Sequence, residues 1–362
     1  EQISQVERQA SLLKKSREKL EYPEVIRSLE NLAVSEEGKS LCRNLLPETR
    51  LSLVEENQED TADALEVLLT RSKVPLQGLH KIRPQVLRAT MPGAVLDTKD
   101  LLHIASFLEA VERLADYVPD EREDEEAGNN RFYQILMELR PQERLRADIR
   151  SAILAEDEIS DDASPELRRL RRSRAKIQEQ IRKVLERILR DKADLLQDAI
   201  ITLRQNRYVI PVKAQNKAQI AGLVHDSSNS GQTLFVEPLA VVEQNNKIRE
   251  ILIEEDKEIQ RILEDFTKRV GAVSQELIYD IDLMARADFL MAKAKLAKAM
   301  SARRPDLNEE GIIDLRKARH PHIPANEVVP IDIHVGEGFH TLLITGPNTG
   351  GKTVALKTIG LL

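Results

Sequence analysis

Apolar residues recur at three- and four-residue intervals through most of the chain, which is the spacing of amphipathic helices. Before about residue 154 these intervals predict helices of medium length. The clearest stripe runs through Leu101, Leu108 and Ala115, behind a helix start at Asp97 or Thr98. Prolines separate the patterns. We therefore predict a helical core over residues 1–163.

Serine residues mark two of the predicted helix starts. Ser52 and Glu55 have the spacing of a capping box, in which the hydroxyl accepts from a backbone N–H and the carboxylate reaches back. Ser164 precedes Pro165, and proline suits the first helical position because its missing N–H costs nothing there. We expect both serines to cap helices.

Two longer patterns follow. Apolar residues alternate at three- and four-residue steps from Leu167 to Leu195, with polar interruptions at Arg174 and Asp191, and a second run of this kind passes through Ile248. Such spacing is typical of a coiled-coil seam. We predict one lever helix over 164–205, about 60 Å long at 1.5 Å per residue, and a second over 239–304. A short insert joins them, so they run antiparallel.

The insert, residues 206–238, is β-prone. Residues 208–212 form a short apolar run, and residues 220–224 and 233–236 flank a polar turn at 227–231, which is typical of a β-hairpin. We predict a small β-containing clamp tip at the end of a helical lever. Such an architecture suits a protein that reaches for something large. The alternative is a dimerising coiled coil whose tip is only a connection.

The pattern changes again after Met300. Residues 311–315 and 329–335 are strand-like, and prolines connect them. This predicts the start of an α/β domain over 305–362. The predicted fold is therefore mainly α with a C-terminal α/β piece.

Composition supports helices over an all-β fold. Of the 362 residues, 41% are apolar and 32% charged, but only 3% are aromatic and none is tryptophan, whereas strands favour aromatic side chains. No apolar run reaches the roughly 20 residues that span a bilayer, and no signal-peptide pattern is present. The single cysteine excludes an intrachain disulfide. We expect a cytoplasmic protein with no membrane partner.

The formal charge of −7 conceals an uneven distribution. Residues 120–126 contain six acids and one arginine, whereas residues 166–192 contain eleven lysines or arginines against four acids. A basic stripe of this kind is the electrostatic footprint of a nucleic-acid surface. A solvated helix face with intrahelical ion pairs is the alternative.

A phosphate-binding motif follows a predicted buried strand at 341–345. Eight residues match G-x-x-x-x-G-K-[ST] between this strand and a helical run; they are Gly346, Pro347, Asn348, Thr349, Gly350, Gly351, Lys352 and Thr353. Backbone N–H groups of such a loop face phosphate oxygens, and the helix start adds a positive dipole end. Lys352 would neutralise the β- and γ-phosphates, and Thr353 would ligate magnesium. The motif predicts a site for ATP and magnesium.

Hydrolysis needs further groups. Nine residues follow Thr353, and they include no acidic strand end that could hold the metal. We expect this chain to be the front of a longer ATPase and to be inactive in hydrolysis by itself.

The order of these parts resembles the MutS family of DNA-clamping ATPases. The GPNxGGK[ST] loop with the residues after it resembles the variant in the family's second bacterial class, MutS-two. Four other segments resemble the same class, namely residues 159–165, 207–213, 230–238 and 318–321. The resemblance covers nearly the whole chain from about Leu20.

The resemblance implies a homodimer that encloses nucleic acid, branched or duplex DNA, while paired ATPase domains open and close the ring. Members of the class are associated with suppressing homologous recombination and with splitting collided ribosomes, which would add ribosomal RNA as a partner. Their endonuclease lies in a small C-terminal domain that is absent from this sequence. DNA and the ribosome both stay open as the main target.

Four basic residues in or beside the predicted tip are candidate nucleic-acid contacts, namely Arg204, Arg207, Lys213 and Lys217. For each of them, solvated surface is the alternative. The family reads mismatches with a Phe-x-Glu pair, but the triplets at 107–109 and 235–237 lie in a predicted helix and hairpin, and we expect structural roles. His320 and His322 have no third metal ligand, so we favour a structural or base-edge role. Cys42 is interpreted as a small buried residue.

Two other functions compete. Chromosome-structuring ATPases also have a coiled-coil arm, but their P-loop precedes the arm, whereas here it follows. A structural dimerisation fragment with an idle P-loop is the second alternative, and ATP binding would separate it from the first hypothesis.

Overall fold

The computed structural model describes residues 2–71, 73–119, 127–346 and 351–362, with backbone only for 2–10 and 127. Contacts divide the chain into two compact units. Unit 1 consists of Glu1–Val86, Ser106–Glu143 and Val273–Leu362, and unit 2 of Leu87–Ala105 and Arg144–Ala272.

The described residues are mainly helical. The α-helices are α1 (Gln2–Lys19), α2 (Tyr22–Glu30), α3 (Glu36–Arg43), α4 (Leu51–Thr70), α5 (Arg83–Ala89), α6 (Thr98–Ala115), α7 (Arg131–Met137), α8 (Glu143–Ala152), α9 (Pro165–Asp191), α10 (Leu239–Ala272), α11 (Ser274–Ala299) and α12 (Lys352–Leu361). Short 3₁₀ turns cover Ala127–Asn129, Asp161–Ala163, Ala193–Leu195 and Ala214–Gln219. In the part of the chain that is described, no helix is both long and apolar enough to cross a membrane.

The strands form small antiparallel sheets. They are β1 (Ile153–Ala155), β2 (Glu158–Ile159), β3 (Thr202–Arg204), β4 (Arg207–Lys213), β5 (Gly222–Ser227), β6 (Thr233–Pro238), β7 (Ile313–Ala318) and β8 (Ile331–Val335). Within the described ranges, β1 pairs with β2, β7 pairs with β8, and the other four follow the order β3-β4-β6-β5.

Helix α11 is the centre of unit 1, where α2, α3, α4 and α7 pack around it. Its buried Asp288 accepts hydrogen bonds from Ser35 N at 2.7 Å and from Ser35 Oγ at 2.6 Å. Ser35 in turn caps α3 by accepting from Gly38 N at 2.9 Å. A buried carboxylate with these partners is satisfied, so it fixes the start of α3 against α11.

Helices α9 and α10 pair along unit 2. Ser164, before α9, donates to Glu258 at 2.6 Å, and Arg174, further along α9, donates to Glu255 at 2.7 Å. The end of α9 shares an apolar cluster with Val241, near the start of α10. Residues later in α9 contact residues earlier in α10, so the two helices run antiparallel. The supercoil of a coiled coil stays a prediction.

The sheet of β3 to β6 covers the apolar ends of this helix pair within unit 2. Ile210, Val212 and Val236 are fully buried and share one cluster with Leu189 and Val241. Strands β5 and β6 form the predicted hairpin, with Val224 opposite Val236. The register turns one face of the sheet onto the helices.

Both predicted lever helices are too long. Helix α9 ends at Asp191 rather than at 205, because the chain beyond it is used by the sheet, where buried Leu196 bridges to Val212. The second helix is two, α10 and α11, because Val273 has ψ near 21° and interrupts the helical backbone.

One of the two capping predictions is confirmed. Ser164 Oγ accepts from Leu167 N at 3.0 Å, in front of α9. The prediction for Ser52 is wrong, since α4 begins one residue earlier, at Leu51. The carbonyl of Arg50 already accepts the first helical hydrogen bonds, from Leu53 and Val54, so Ser52 is inside the helix.

The predicted buried strand at 341–345 is also wrong. These residues form no strand with any described residue, and Leu343 is 82% exposed. A buried parallel strand needs neighbouring strands and covered faces. In the described part of unit 1, β7 and β8 pair with each other only, with Leu315 opposite Ile333.

Candidate nucleotide-binding loop and nucleic-acid interface

Both ends of the predicted phosphate-binding loop are described. Gly346 has φ 144° and Gly351 has φ 80°, conformations that glycine adopts without strain. Residues 347–350 of the motif lie outside the described residues. Gly351 is the N-cap of α12, so Lys352 and Thr353 occupy the first helical turn. Of the predicted strand-loop-helix order, the structure has the transition from glycine to helix, but residues 341–345 are not a strand.

The first turn of α12 presents groups that suit a phosphate anion. Its leading N–H groups have no partners within the helix, and the Gly351 N-cap supplies no side-chain hydrogen bond. The ammonium of Lys352 donates to the carbonyl oxygen of Gly346, so the positive charge lies across the two ends of the loop. Thr353 is exposed on the same turn. The described residues therefore fit a bound triphosphate.

Helix α12 is anchored within unit 1 at the junction of α1 and α2. The ammonium of Lys357 is bound to the carboxylate of Glu21, and this hydrogen bond lowers the pKa of Glu21. A Cβ at Gly360 would lie 2.5 Å from the Leu20 side chain, so glycine permits the close approach. These contacts fix the helix that follows the loop.

His320 and His322 lie beside the same junction. His322 Nε2 is 3.3 Å from the carbonyl oxygen of Glu21, and the His322 N–H donates to His320 Nδ1 at 3.3 Å. His320 is buried, and burial lowers its pKa. No group of three metal-ligating side chains occurs among the described residues. The contacts give both histidines a structural role, and the base-edge role stays a prediction.

Arg207, one of the four candidate nucleic-acid contacts, is hydrogen-bonded to a buried carboxylate. Its Nη1 donates to both carboxylate oxygens of Glu237, at 2.7 and 3.0 Å, and its Nη2 donates to Asn246 Oδ1 at 2.7 Å. Glu237 is fully buried, accepts from Asn245 at 2.7 Å, and lies 2.5 Å from His225 Nε2. Because it donates to a buried carboxylate, Arg207 has a structural role in the tip. Its contact with a phosphate stays a prediction.

The other three cations keep donors for a ligand. Arg204 lies 4.1 Å above the Phe235 ring and 3.3 Å from Asp226, with 38% of its side chain exposed. Lys213 and Lys217 each donate one hydrogen bond, at 3.2 Å, to a backbone carbonyl. An ammonium has three donors, so both lysines and Arg204 stay candidate contacts.

Curated relatives match nearly the whole chain. Endonuclease MutS2 of Acetivibrio thermocellus is 42% identical over 344 residues, which are 94% of this chain and 43% of that protein. Endonuclease MutS2 of Agathobacter rectalis is 40% identical over 96% of this chain and 44% of its own length. The Clostridioides difficile protein of the same name is 41% identical, again over 96% and 44%. The chain belongs to the MutS2 family. No protein-family model matches it.

The chain spans less than half the length of these relatives. The identity to these relatives confirms the family that the sequence motifs predicted. The contacts of both Phe-x-Glu triplets agree with the structural roles expected for them, because Glu237 accepts hydrogen bonds from Arg207 and Phe107 is buried in α6. Cys42 is fully buried as predicted, and burial raises the pKa of its thiol to about 11.

The Glu237 network of the tip was not predicted from the sequence. One signal was present, because Asn245 stands between Val241 and Ile248 at a spacing that otherwise carries apolar residues of α10. A polar residue at such a position needs a buried partner. Which partner it finds depends on the fold of β4 to β6, and no local pattern contains that information.

Proposed function

We propose that this chain binds ATP and clamps double-helical nucleic acid as part of a MutS2-type homodimer in the cytoplasm. The observation that carries the proposal is the motif from Gly346 to Thr353, whose described ends have left-handed glycines and a helix start with one lysine. The relatives' names support a nucleic-acid substrate, since all three are called endonucleases.

The nucleotide site would use few groups of this chain. First-turn N–H groups of α12 and the ammonium of Lys352 would bind the β- and γ-phosphates. The Thr353 hydroxyl would ligate magnesium, which supplies charge neutralisation when it is bound with the nucleotide. The exposed apolar residues at 341–345 are the kind of segment that a completed parallel sheet buries.

A titration with a fluorescent ATP analogue and magnesium tests the nucleotide site. We expect the unmodified chain to bind and Lys352→Ala to bind at least tenfold more weakly. Lys298→Ala is the control, because it removes an exposed ammonium from α11, outside the helix that follows the loop. Equal loss in both variants, or no binding by the unmodified chain, would contradict the site.

The polymer partner needs a separate experiment. Branched DNA and stalled ribosomes are offered to the chain in parallel, by anisotropy titration and by co-sedimentation. Binding to the DNA with steep salt dependence supports the clamp. Binding to ribosomes alone would redirect the proposal to ribosomal RNA, and binding to neither would refute it.

A further inference from the structure

Four basic side chains form one exposed line along α9. Arg172, Lys176, Arg187 and Arg190 are all exposed. At 100° per residue they fall within an arc of about 60°, and they extend over about 27 Å of helix. Leu185 and Leu189 occupy other positions of the helix and are buried. The line therefore lies on a solvent-facing side of unit 2.

These four cations differ from their neighbours in having no partner. In the residues that the structure describes, none of the four forms an ion pair or a side-chain hydrogen bond. Six other basic residues of α9 each have a carboxylate within 4 Å, namely Arg168, Arg169, Arg171, Arg174, Arg182 and Lys183. Ion pairs within the helix were the alternative explanation of the basic run at 166–192. Such pairs account for only part of the run.

Exposed ion pairs border the line. Arg169 and Lys183 fall in the same arc, and their ion pairs with Glu166 and Glu179 are exposed. Exposed pairs of this kind contribute little and exchange readily. A ligand with its own negative charges would therefore meet at least four free cations in one direction.

The chemistry of the line fits a regular phosphodiester backbone. Along the helix axis the four charges are separated by about 6, 16.5 and 4.5 Å, and their span of about 27 Å corresponds to about eight base-pair steps of a duplex at 3.4 Å each. Helix α9 contains no aromatic residue, whereas proteins that hold single strands stack bases on aromatic side chains. Guanidinium and ammonium groups that contact phosphates position a duplex without reading its bases, so we expect contact that is independent of sequence.

We propose that Arg172, Lys176, Arg187 and Arg190 form a backbone-contact surface for double-helical nucleic acid. The proposal rests on the proposed function, and it narrows the basic run at 166–192 to the four residues of helix α9 that have no partner among the described residues. DNA and RNA duplexes share the phosphate chemistry, so both are bound through this line.

The test compares two variants of the 362-residue chain with equal charge change. The line variant carries Arg172→Gln, Lys176→Gln, Arg187→Gln and Arg190→Gln. The control variant carries glutamine at four exposed basic residues that already have carboxylate partners, namely Arg168, Arg182, Lys247 and Arg316. Circular dichroism first establishes that both variants keep their helix content. Anisotropy titrations then use a 20-base-pair DNA duplex, an RNA duplex and a single strand of equal length.

We expect the line variant to bind both duplexes at least tenfold more weakly at about 100 mM salt, with the slope of log K against log salt shallower by about 3.6. The control variant should stay within about threefold of the unmodified chain. Equal effects of the two variants overturn the inference and leave the proposed function standing. An equal loss for the single strand overturns the assignment to duplexes. If the unmodified chain binds no duplex, both the inference and the nucleic-acid part of the proposed function fail.

Discussion

The carboxylate of Glu237 is expected to hold the clamp tip together. It is fully buried and joins β4, β5, β6 and α10 through Arg207, His225 and Asn245. The substitution Glu237→Gln removes the charge and keeps the size of the side chain. It therefore tests the electrostatic part of the network without opening a cavity.

The contacts set the size of the expected loss. Glu237 accepts two hydrogen bonds from Arg207 and one from Asn245, and hydrogen bonds to charged groups contribute about 1.5 to 3 kcal/mol each. Breaking one partner of a buried ion pair costs about 3 to 5 kcal/mol. Glutamine keeps one acceptor oxygen, and Arg207 is 17% exposed and so reaches water. We expect a loss of about 3 kcal/mol in the free energy of unfolding of the tip.

The chain has no tryptophan, which makes a specific probe possible. Tyr208 is half-buried against the apolar cluster of the tip, so Tyr208→Trp supplies one fluorophore there. Urea unfolding of this background is compared with Glu237→Gln, Arg207→Gln and the double variant. The double variant should lose about 2 kcal/mol less than the sum of the two single variants. Lys213→Gln, which removes a single contact to a backbone carbonyl, should change the free energy by less than about 0.5 kcal/mol.

The opposite pattern would refute the structural role of Arg207. If Arg207→Gln left the urea midpoint unchanged and weakened duplex binding, its guanidinium would be a phosphate contact, as the sequence suggested.

Two further predictions concern unit 1. A Cβ at Gly38 would clash with Asp288 Oδ2, so Gly38→Ala should lower the free energy of unfolding by about 2 kcal/mol. Gly128 has open space around it, so thermal melts should show Gly128→Ala unchanged. Equal melting temperatures for the two variants would contradict the contact. Burial raises the pKa of Asp280 to about 6 from 3.8, so the folded state binds this proton more tightly than the unfolded state. Stability should then fall by about 3 kcal/mol as pH rises from about 4 to 6; urea midpoints of Asp280→Asn should lack this fall, and parallel pH profiles of the two proteins would disprove it.

Local signals predicted the elements that need no distant partner. Thr98 begins α6 as expected, with Asp97 accepting from Asp100 N at 2.8 Å. Ser164 caps α9, and the polar turn before Thr233 predicted the β5–β6 hairpin. In each case the determining groups lie within a few residues, so sequence spacing contains the information.

Features that depend on tertiary contacts were not predictable in this way. Leu195 fits the seam of a longer α9, yet it packs against the sheet cluster beyond the helix end. Residues 341–345 have strand composition but no partner strand among the described residues. Arginine is a residue type that commonly contacts phosphates, and only the fold shows that the charge of Arg207 is balanced by buried Glu237.

The same limit applies to the candidate nucleotide site. The motif and the glycine conformations at Gly346 and Gly351 agree, because glycine at these positions is a local requirement. Which cations of α9 are free is a different question, since charge partners come from elsewhere in the fold, as Glu255 does for Arg174.

The salt dependence of duplex affinity tests the central claim most directly. The Kd of the unmodified chain for a 20-base-pair DNA duplex is measured at about 50 and 200 mM salt. Four phosphate contacts predict that affinity falls on the order of 100-fold between these conditions. A Kd that changed less than twofold, or an absence of binding at the lower salt, would contradict a protein that clamps nucleic acid.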